Sequence, residues 1–236
     1  MNVSGKARVG LLTATPGEPM EVGAEGLHPL GLGNARDGLL YLPPTARERE
    51  HPLILLLHGS GANARDIVGV LQHRAELNGC ALLVPESRDY TWDVLTGGFG
   101  PDVQFIDEAL AYTFARCRVD RSRVAIAGFS DGASYALTLG IANGGLFHHI
   151  MAFSPGFMQP PCVEDTPHVY MSHGREDRVL PIARCSRRIL HELHILELNV
   201  NYREFPGGHR VPAEIAADAM EWFLTGPTKI RAPLAV

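Results

Sequence analysis

Val124-Ala125-Ile126-Ala127-Gly128-Phe129-Ser130-Asp131-Gly132 carries an apolar segment directly into Gly-x-Ser-x-Gly, and small, helix-compatible residues follow. This order predicts a strand, a sharp turn and a helix, with Ser130 at the apex. Glycines on both sides of the serine remove Cβ atoms that would collide as the turn tightens. The pattern nominates Ser130 as a reactive hydroxyl. The alternative is an ordinary Gly/Ser turn on a Rossmann-like sheet, and the remainder of the chain bears on the choice.

A serine hydroxyl is a weak nucleophile near neutral pH, so a reactive Ser130 requires a histidine base, an acid to orient it and donors for a developing oxyanion. His168-Val169-Tyr170-Met171-Ser172-His173-Gly174 reads as a short buried strand. Gly174-Arg175-Glu176-Asp177 is the turn leaving its C-terminal end, where open α/β sheets bind their ligands. Asn199 to Phe205 alternates polar and apolar side chains like an edge strand, and Pro206-Gly207-Gly208-His209 follows as a loop at the same sheet edge. Asp177 and His209 are thus the candidate acid and base, with Glu176 and the pair Glu164-Asp165 as competing carboxylates. Upstream, Leu53-Ile54-Leu55-Leu56-Leu57 is a continuous apolar run of the kind a parallel strand buried on both faces needs. It ends in His58-Gly59-Ser60-Gly61, a turn whose Ser60 or Gly61 amide, with the amide of Asp131, would receive the oxyanion.

In these four motifs, taken in this order, the chain resembles the α/β-hydrolase superfamily, in its compact bacterial carboxylesterase and phospholipase-like branch, which is similar to acyl-protein thioesterases. The resemblance covers most of the chain. It implies an α/β fold with a mostly parallel central sheet, helices on both faces and no large cap domain. It also implies Ser130 as nucleophile, Asp177 as acid and His209 as base in a hydrolase of carboxylic esters that needs no cofactor. Thioesterases of this branch usually carry Leu where Ser60 stands and Gln where Asp131 stands. A thioesterase or lysophospholipase with the same triad, or a non-enzymatic ligand receptor on the same fold, are the competing functions.

Length and composition fit one α/β domain over residues 1–236, since 45% hydrophobic and 20% charged residues is ordinary globular composition. The formal charge of −5, without any Lys/Arg block, gives no electrostatic reason to expect nucleic acid as a partner. No apolar stretch is long enough to span a bilayer. Met1 to Arg8 lacks the apolar core of a signal peptide, so a cytoplasmic enzyme is expected. Expected partners are a small-molecule ester and, at most, a second copy of the chain in a homodimer. Cys80, Cys117, Cys162 and Cys185 have no Cys-x-x-Cys spacing and read as free thiols. His191-Glu192-Leu193-His194 lacks the four-residue histidine spacing of a zinc helix, and no metal site is expected.

Helix signals lie between the strands. Asp66 is placed to cap a helix through Ile67, Val70, Leu71 and Ala75, and Asp102 another through Val103, Ile106, Leu110, Phe114 and Cys117. Pro181 fits a first helical position ahead of Ile182, Cys185, Ile189 and Leu193. A last helix presents Ile215, Ala216, Ala219, Met220 and Phe223. Arg8 to Thr13 and Asp37 to Leu42 read as early strands, and His148-His149 as a surface turn. The loop from Asp89 to Gly100 carries Trp92 and Phe99 toward the active-site side, either as acyl-binding groups or as packing beneath the loop. Phe157 and Met158, in Phe157-Met158-Gln159-Pro160-Pro161, could form a small wall beside the same pocket.

Overall fold

Leu53, Leu55 and Leu57 face one layer of apolar core and Ile54 and Leu56 face the other, which is why strand β3 (His51–Leu57) is an unbroken hydrophobic run. The computed structural model, describing residues 3–33 and 36–226, places this strand inside an eight-stranded sheet. Its other strands are β1 (Gly26–Pro29), β2 (Gly38–Leu42), β4 (Ala81–Pro85), β5 (Val119–Phe129), β6 (His149–Phe153), β7 (His168–Gly174) and β8 (Val200–Phe205). The spatial order is β1-β2-β4-β3-β5-β6-β7-β8. From β4 to β8 every pairing is parallel, and β1 and β2 join antiparallel at one edge.

Helices α3 (Pro101–Phe114), α4 (Asp131–Ala142) and α5 (Ser186–Ile195) bury their apolar faces in one core layer. On the opposite face lie α1 (Ala64–Val68), α2 (Gln72–Asn78) and α6 (Ala213–Thr225). This is the α/β-hydrolase arrangement, and no cap is built on it among the described residues. Because β3, β5, β7 and β8 are parallel, the turns that leave them gather at one edge of the sheet. Among the described residues no helix is long and apolar enough to cross a membrane. Met1 and Asn2 of the N-terminal segment lie outside the described residues.

Several expected elements differ. Arg8 to Thr13 is not a strand: a short 3-10 turn covers Ala7–Val9, and the segment that follows is held by side chains distant in sequence. Leu12 N–H donates to Oδ1 of Asn143 at 2.8 Å, while Thr13 and Ala14 N–H donate to Oδ1 of Asp107 at 2.7 Å each. Its backbone needs no sheet partner. The single helix expected from Asp66 is two helices, α1 and α2. Asn63 is the cap, and Asp66 closes the capping box by accepting from Asn63 N–H. Asp102 lies inside α3, behind Gly100 and Pro101, and Cys117 falls beyond the helix end. Pro181 begins a turn, and α5 starts only at Ser186. His149 opens β6 and is buried, not at a surface turn, whereas His148 is exposed.

Candidate active site

Ser130 has φ 57° and ψ −121°, a backbone conformation that L-residues avoid, at the junction of β5 and α4. Crowding fixes the sequence here. A Cβ on Gly128 would strike the carbonyl of Gly132, and a Cβ on Gly132 would strike the carbonyls of Leu57 and His58. Only glycine at both places lets β5 turn into α4 against the end of β3.

Three side chains meet at this turn. His209 Nε2 lies 2.9 Å from Oγ of Ser130, and its Nδ1 lies 2.6 Å from Oδ2 of Asp177. The carboxylate only accepts, so Nδ1–H donates to it, which leaves the Nε2 lone pair to accept from the serine hydroxyl. Asp177 is 6% exposed. Its other oxygen, Oδ1, accepts from the amides of Val179 at 2.9 Å and Leu180 at 2.8 Å. Burial alone would raise its pKa, but the Leu180 amide, His209 and the Val179 amide outweigh it, and the carboxyl is held below its ordinary value. Glu176, the neighbouring carboxylate, is exposed.

The loops that carry Asp177 and His209 are joined backbone to backbone. Arg175 N–H donates to the carbonyl of Phe205 and Glu176 N–H to that of Gly207, both at 2.9 Å. A Cβ on Gly174 would collide with the carbonyls of Gly207 and Gly208. The Phe129 ring lies 4.7 Å from the His209 ring, centroid to centroid, and walls one side of the imidazole.

The His58-Gly59-Ser60 turn abuts the serine, since a Cβ on Gly59 would sit 3.4 Å from Cβ of Ser130. Of the expected oxyanion donors, Gly61 is engaged elsewhere: its N–H donates to the carbonyl of Tyr90 at 2.8 Å. Ser60 and Asp131 are the amides that flank Ser130 without such a bond among the described contacts. The Asp131 carboxylate accepts from the hydroxyl of Thr91 at 2.8 Å, which ties the 89–93 loop to the start of α4. His58 is internal to this turn, its Nδ1 2.7 Å from the Gly59 carbonyl and its Nε2 accepting from Ser87 N–H at 3.0 Å. Burial, more than the nearby Arg36, lowers its pKa.

A cleft of about 350 Å³ opens over Ser130 and His209, lined also by Gly59, Ser60, Ala62, Asp66, Ile67, Phe129 and Val179. None of the four expected pocket residues lines it. Trp92 is fully buried beneath the His58-Gly59-Ser60 turn. Its indole N–H donates to the His58 carbonyl at 2.8 Å, and its ring stacks on Tyr135 at 5.1 Å between centroids. Phe99 packs on Tyr135 and against Gly10. Gly156 and Phe157 N–H both donate to Oγ of Ser134 in α4, drawing the 156–158 segment back toward the helix, and Met158 packs on the core. Ile67, Phe129 and Val179 carry the apolar lining instead. Phe129 is the variable residue inside Gly-x-Ser-x-Gly, Val179 lies two residues beyond Asp177, and Ile67 lies on α1 outside every motif.

Trp92→Ala is therefore expected to cost stability, about 3–5 kcal/mol as for a large buried aromatic, and to leave acyl-chain preference unchanged. Thermal melts beside an ester chain-length series measure both. A shifted preference at unchanged melting temperature would return Trp92 to the pocket.

A larger cavity of about 730 Å³, lined by His148, His149, Asp165, His168 and Phe223 among others, lies at the amino ends of β6 and β7, at the other end of the sheet from Ser130. Among the described residues no group of three or more His, Cys, Asp or Glu side chains is arranged to hold a metal ion.

A mostly parallel sheet with a serine elbow at its carboxyl edge defines this protein as an α/β-hydrolase. Within that superfamily, the chain belongs to the phospholipase/carboxylesterase family, whose model matches residues 100–225. No curated protein matches it by sequence. Among solved structures, it is similar to esterase PE8 at 22% identity, covering 80% of this chain and 97% of that one with a TM-score of 0.64. A phospholipase/carboxylesterase from Dyadobacter fermentans aligns at 19% identity over 87% of this chain and 99% of its own, with a TM-score of 0.60. The fluorophosphonate-binding serine hydrolase FphF of Staphylococcus aureus aligns at 13% identity over 86% and 99%, with a TM-score of 0.69. At these identities the likeness is one of fold.

Proposed function

We propose that the protein is a serine esterase that cleaves carboxylic esters of short to medium acyl chains through an acyl-enzyme. The observation that carries this reading is the hydrogen-bonded line from Ser130 Oγ through His209 to Asp177, at 2.9 and 2.6 Å. His209 Nε2 takes the serine proton as Oγ bonds to the ester carbon, and the carbonyl electrons move onto the oxygen facing the amides of Ser60 and Asp131. Asp177 keeps the imidazole in the Nδ1–H tautomer and stabilises the imidazolium. Collapse of the tetrahedral adduct returns that proton to the departing alcohol. Water then repeats the sequence on the acyl-enzyme, releasing the acid and restoring Ser130.

Cleft size and membership of the family support the substrate class. A cleft of about 350 Å³ with an apolar patch of Ile67, Phe129 and Val179 accommodates a modest acyl or alcohol group beside the serine. The test is intact-mass labelling with a fluorophosphonate followed by p-nitrophenyl esters of increasing acyl length. One adduct on Ser130, and kcat/KM highest for short to medium chains, are expected. Labelling of another serine, or a rate rising steadily to long chains or confined to lipid interfaces, would overturn the reading. A thioester series run alongside separates thioesterase activity, and a labelled protein with no turnover on either series would point to a ligand receptor.

A further inference from the structure

His173 takes no part in the proton path from Ser130 to Asp177, yet it is fully buried in β7 and reaches the same carboxylate. Its Nε2 lies 2.8 Å from the Leu180 carbonyl and 3.2 Å from Oδ2 of Asp177, the oxygen that also accepts from His209. A carbonyl and an ionised carboxylate can only accept, so Nε2 carries the proton. Nδ1 of the same ring faces the hydroxyl of Ser186, at the start of α5. Burial, which outweighs the Leu180 carbonyl and Asp177, lowers the His173 pKa and so favours the neutral ring. The acceptor-only Leu180 carbonyl fixes this tautomer, and with Nε2 protonated Nδ1 accepts from Ser186 O–H.

The other charged and titratable groups around this pair leave Oδ2 alone. Glu204 stands beside His173 in the β7–β8 register but is paired with Arg187 of α5 at 2.8 Å. Cys185, ahead of α5, is a thiol whose pKa burial raises. On the cleft side, Asp66 serves its capping box and Asp131 accepts from Thr91. Among the described contacts only His209 donates a hydrogen bond to Oδ2; His173 Nε2–H, which donates to the Leu180 carbonyl, stands 3.2 Å from it, and Oδ1 is taken by the two amides.

We propose that His173 is a positioning residue for the acid of the triad: its Nε2–H holds the Leu180 carbonyl, fixing the turn whose Leu180 amide binds Oδ1 of Asp177, and faces Oδ2 at 3.2 Å, so that the carboxylate keeps one lone pair aimed at His209. The inference rests on the proposed role of Asp177. Two consequences follow when the donor is removed. The turn that carries the Leu180 amide loses its anchor and the carboxylate can shift with it, which loosens the orientation of His209 and lowers kcat. More negative charge also faces His209, which favours the imidazolium and moves the acid limb of the kcat/KM pH profile upward.

Two substitutions separate the donor from the bulk. Gln places an amide N–H the same number of bonds from Cα as Nε2, whereas Asn places its polar atoms at the level of Nδ1. His173→Asn is expected to lose roughly 3- to 10-fold in kcat, as for a lost neutral hydrogen bond, with KM little changed and the acid limb displaced to higher pH. His173→Gln should recover most of the rate and return the limb. Imidazole nitrogen NMR of the unsubstituted protein should find His173 protonated on Nε2, a check that does not depend on any variant folding.

A folded His173→Asn with unchanged kcat and pH profile would overturn the inference, as would protonation on Nδ1. Equal losses in both variants that track a fall in melting temperature would show a packing role and overturn it too. The underlying reading fails separately. If Asp177→Asn turns over normally, the triad itself is wrong; if Asp177→Asn collapses while His173→Asn is unaffected, only the positioning role falls.

Discussion

Ser130→Ala is expected to remove ester hydrolysis almost entirely, by roughly 10⁶-fold in kcat, with His209→Ala about as severe and the double variant scarcely worse than either, as in the established subtilisin series. The reason is geometric. Oγ of Ser130 is the attacking atom in the proposed reaction and His209 Nε2, 2.9 Å away, is the base positioned to accept its proton. Once either is absent the other has nothing to act on, so the losses cannot add. Folding should survive. Ser130 stores strain at φ 57°, and Ser130→Gly, which relieves it, is expected to melt no lower than the parent while being equally inactive. Assays of the three variants with thermal melts settle the matter. Near-normal turnover by a folded His209→Ala would end the triad reading, and residual fluorophosphonate labelling of Ser130→Ala would relocate the nucleophile.

What could be read directly from the sequence was enforced locally. The run Leu53 to Leu57 is apolar at every position because both faces of β3 are covered, and a buried parallel strand admits little else. Gly128 and Gly132 are written into the elbow because backbone atoms occupy the space where Cβ would go. What stayed hidden depended on partners far along the chain. The segment from Arg8 to Thr13 has the apolar content of a strand, but its amides are satisfied by Asn143 and Asp107, more than ninety residues away. β1 is short and half exposed at the sheet edge, so no apolar pattern announces it.

The candidate site divides in the same way. Ser130, Asp177 and His209 each follow a recognisable strand, and their order along the chain brought them to one sheet edge. The cleft walls did not follow from composition. An aromatic on a loop near a site can point down as readily as up, and Trp92 points down, because a buried ring with one N–H donor found the His58 carbonyl beneath the turn. Val179, two residues beyond Asp177, is 66% exposed and lines the cleft. His173 looked like any inward residue of a buried strand. Only its distances to Asp177 and Ser186 set it apart.

Asp177→Asn should cost roughly 10³ to 10⁴ in kcat, comparable to the known triad case, and the surrounding donors say why an isosteric change is so damaging. Oδ1 accepts from the amides of Val179 and Leu180, so an asparagine at this place must turn its carbonyl oxygen toward them. Its NH₂ group then faces Nδ1 of His209 and the Nε2–H of His173. A donor opposite Nδ1 forces the His209 proton onto Nε2, and an imidazole with Nε2–H cannot accept from Ser130. The active tautomer is lost without any loss of shape. KM should change little, since Asp177 does not line the cleft. Glu176→Gln should be mild, because that side chain is exposed and its backbone amide, not its carboxylate, holds the loop to Gly207. Ester hydrolysis by both purified variants, with folding checked by melts, tests the assignment. A collapse in Glu176→Gln beside near-normal turnover by folded Asp177→Asn would move the acid one residue back along the turn.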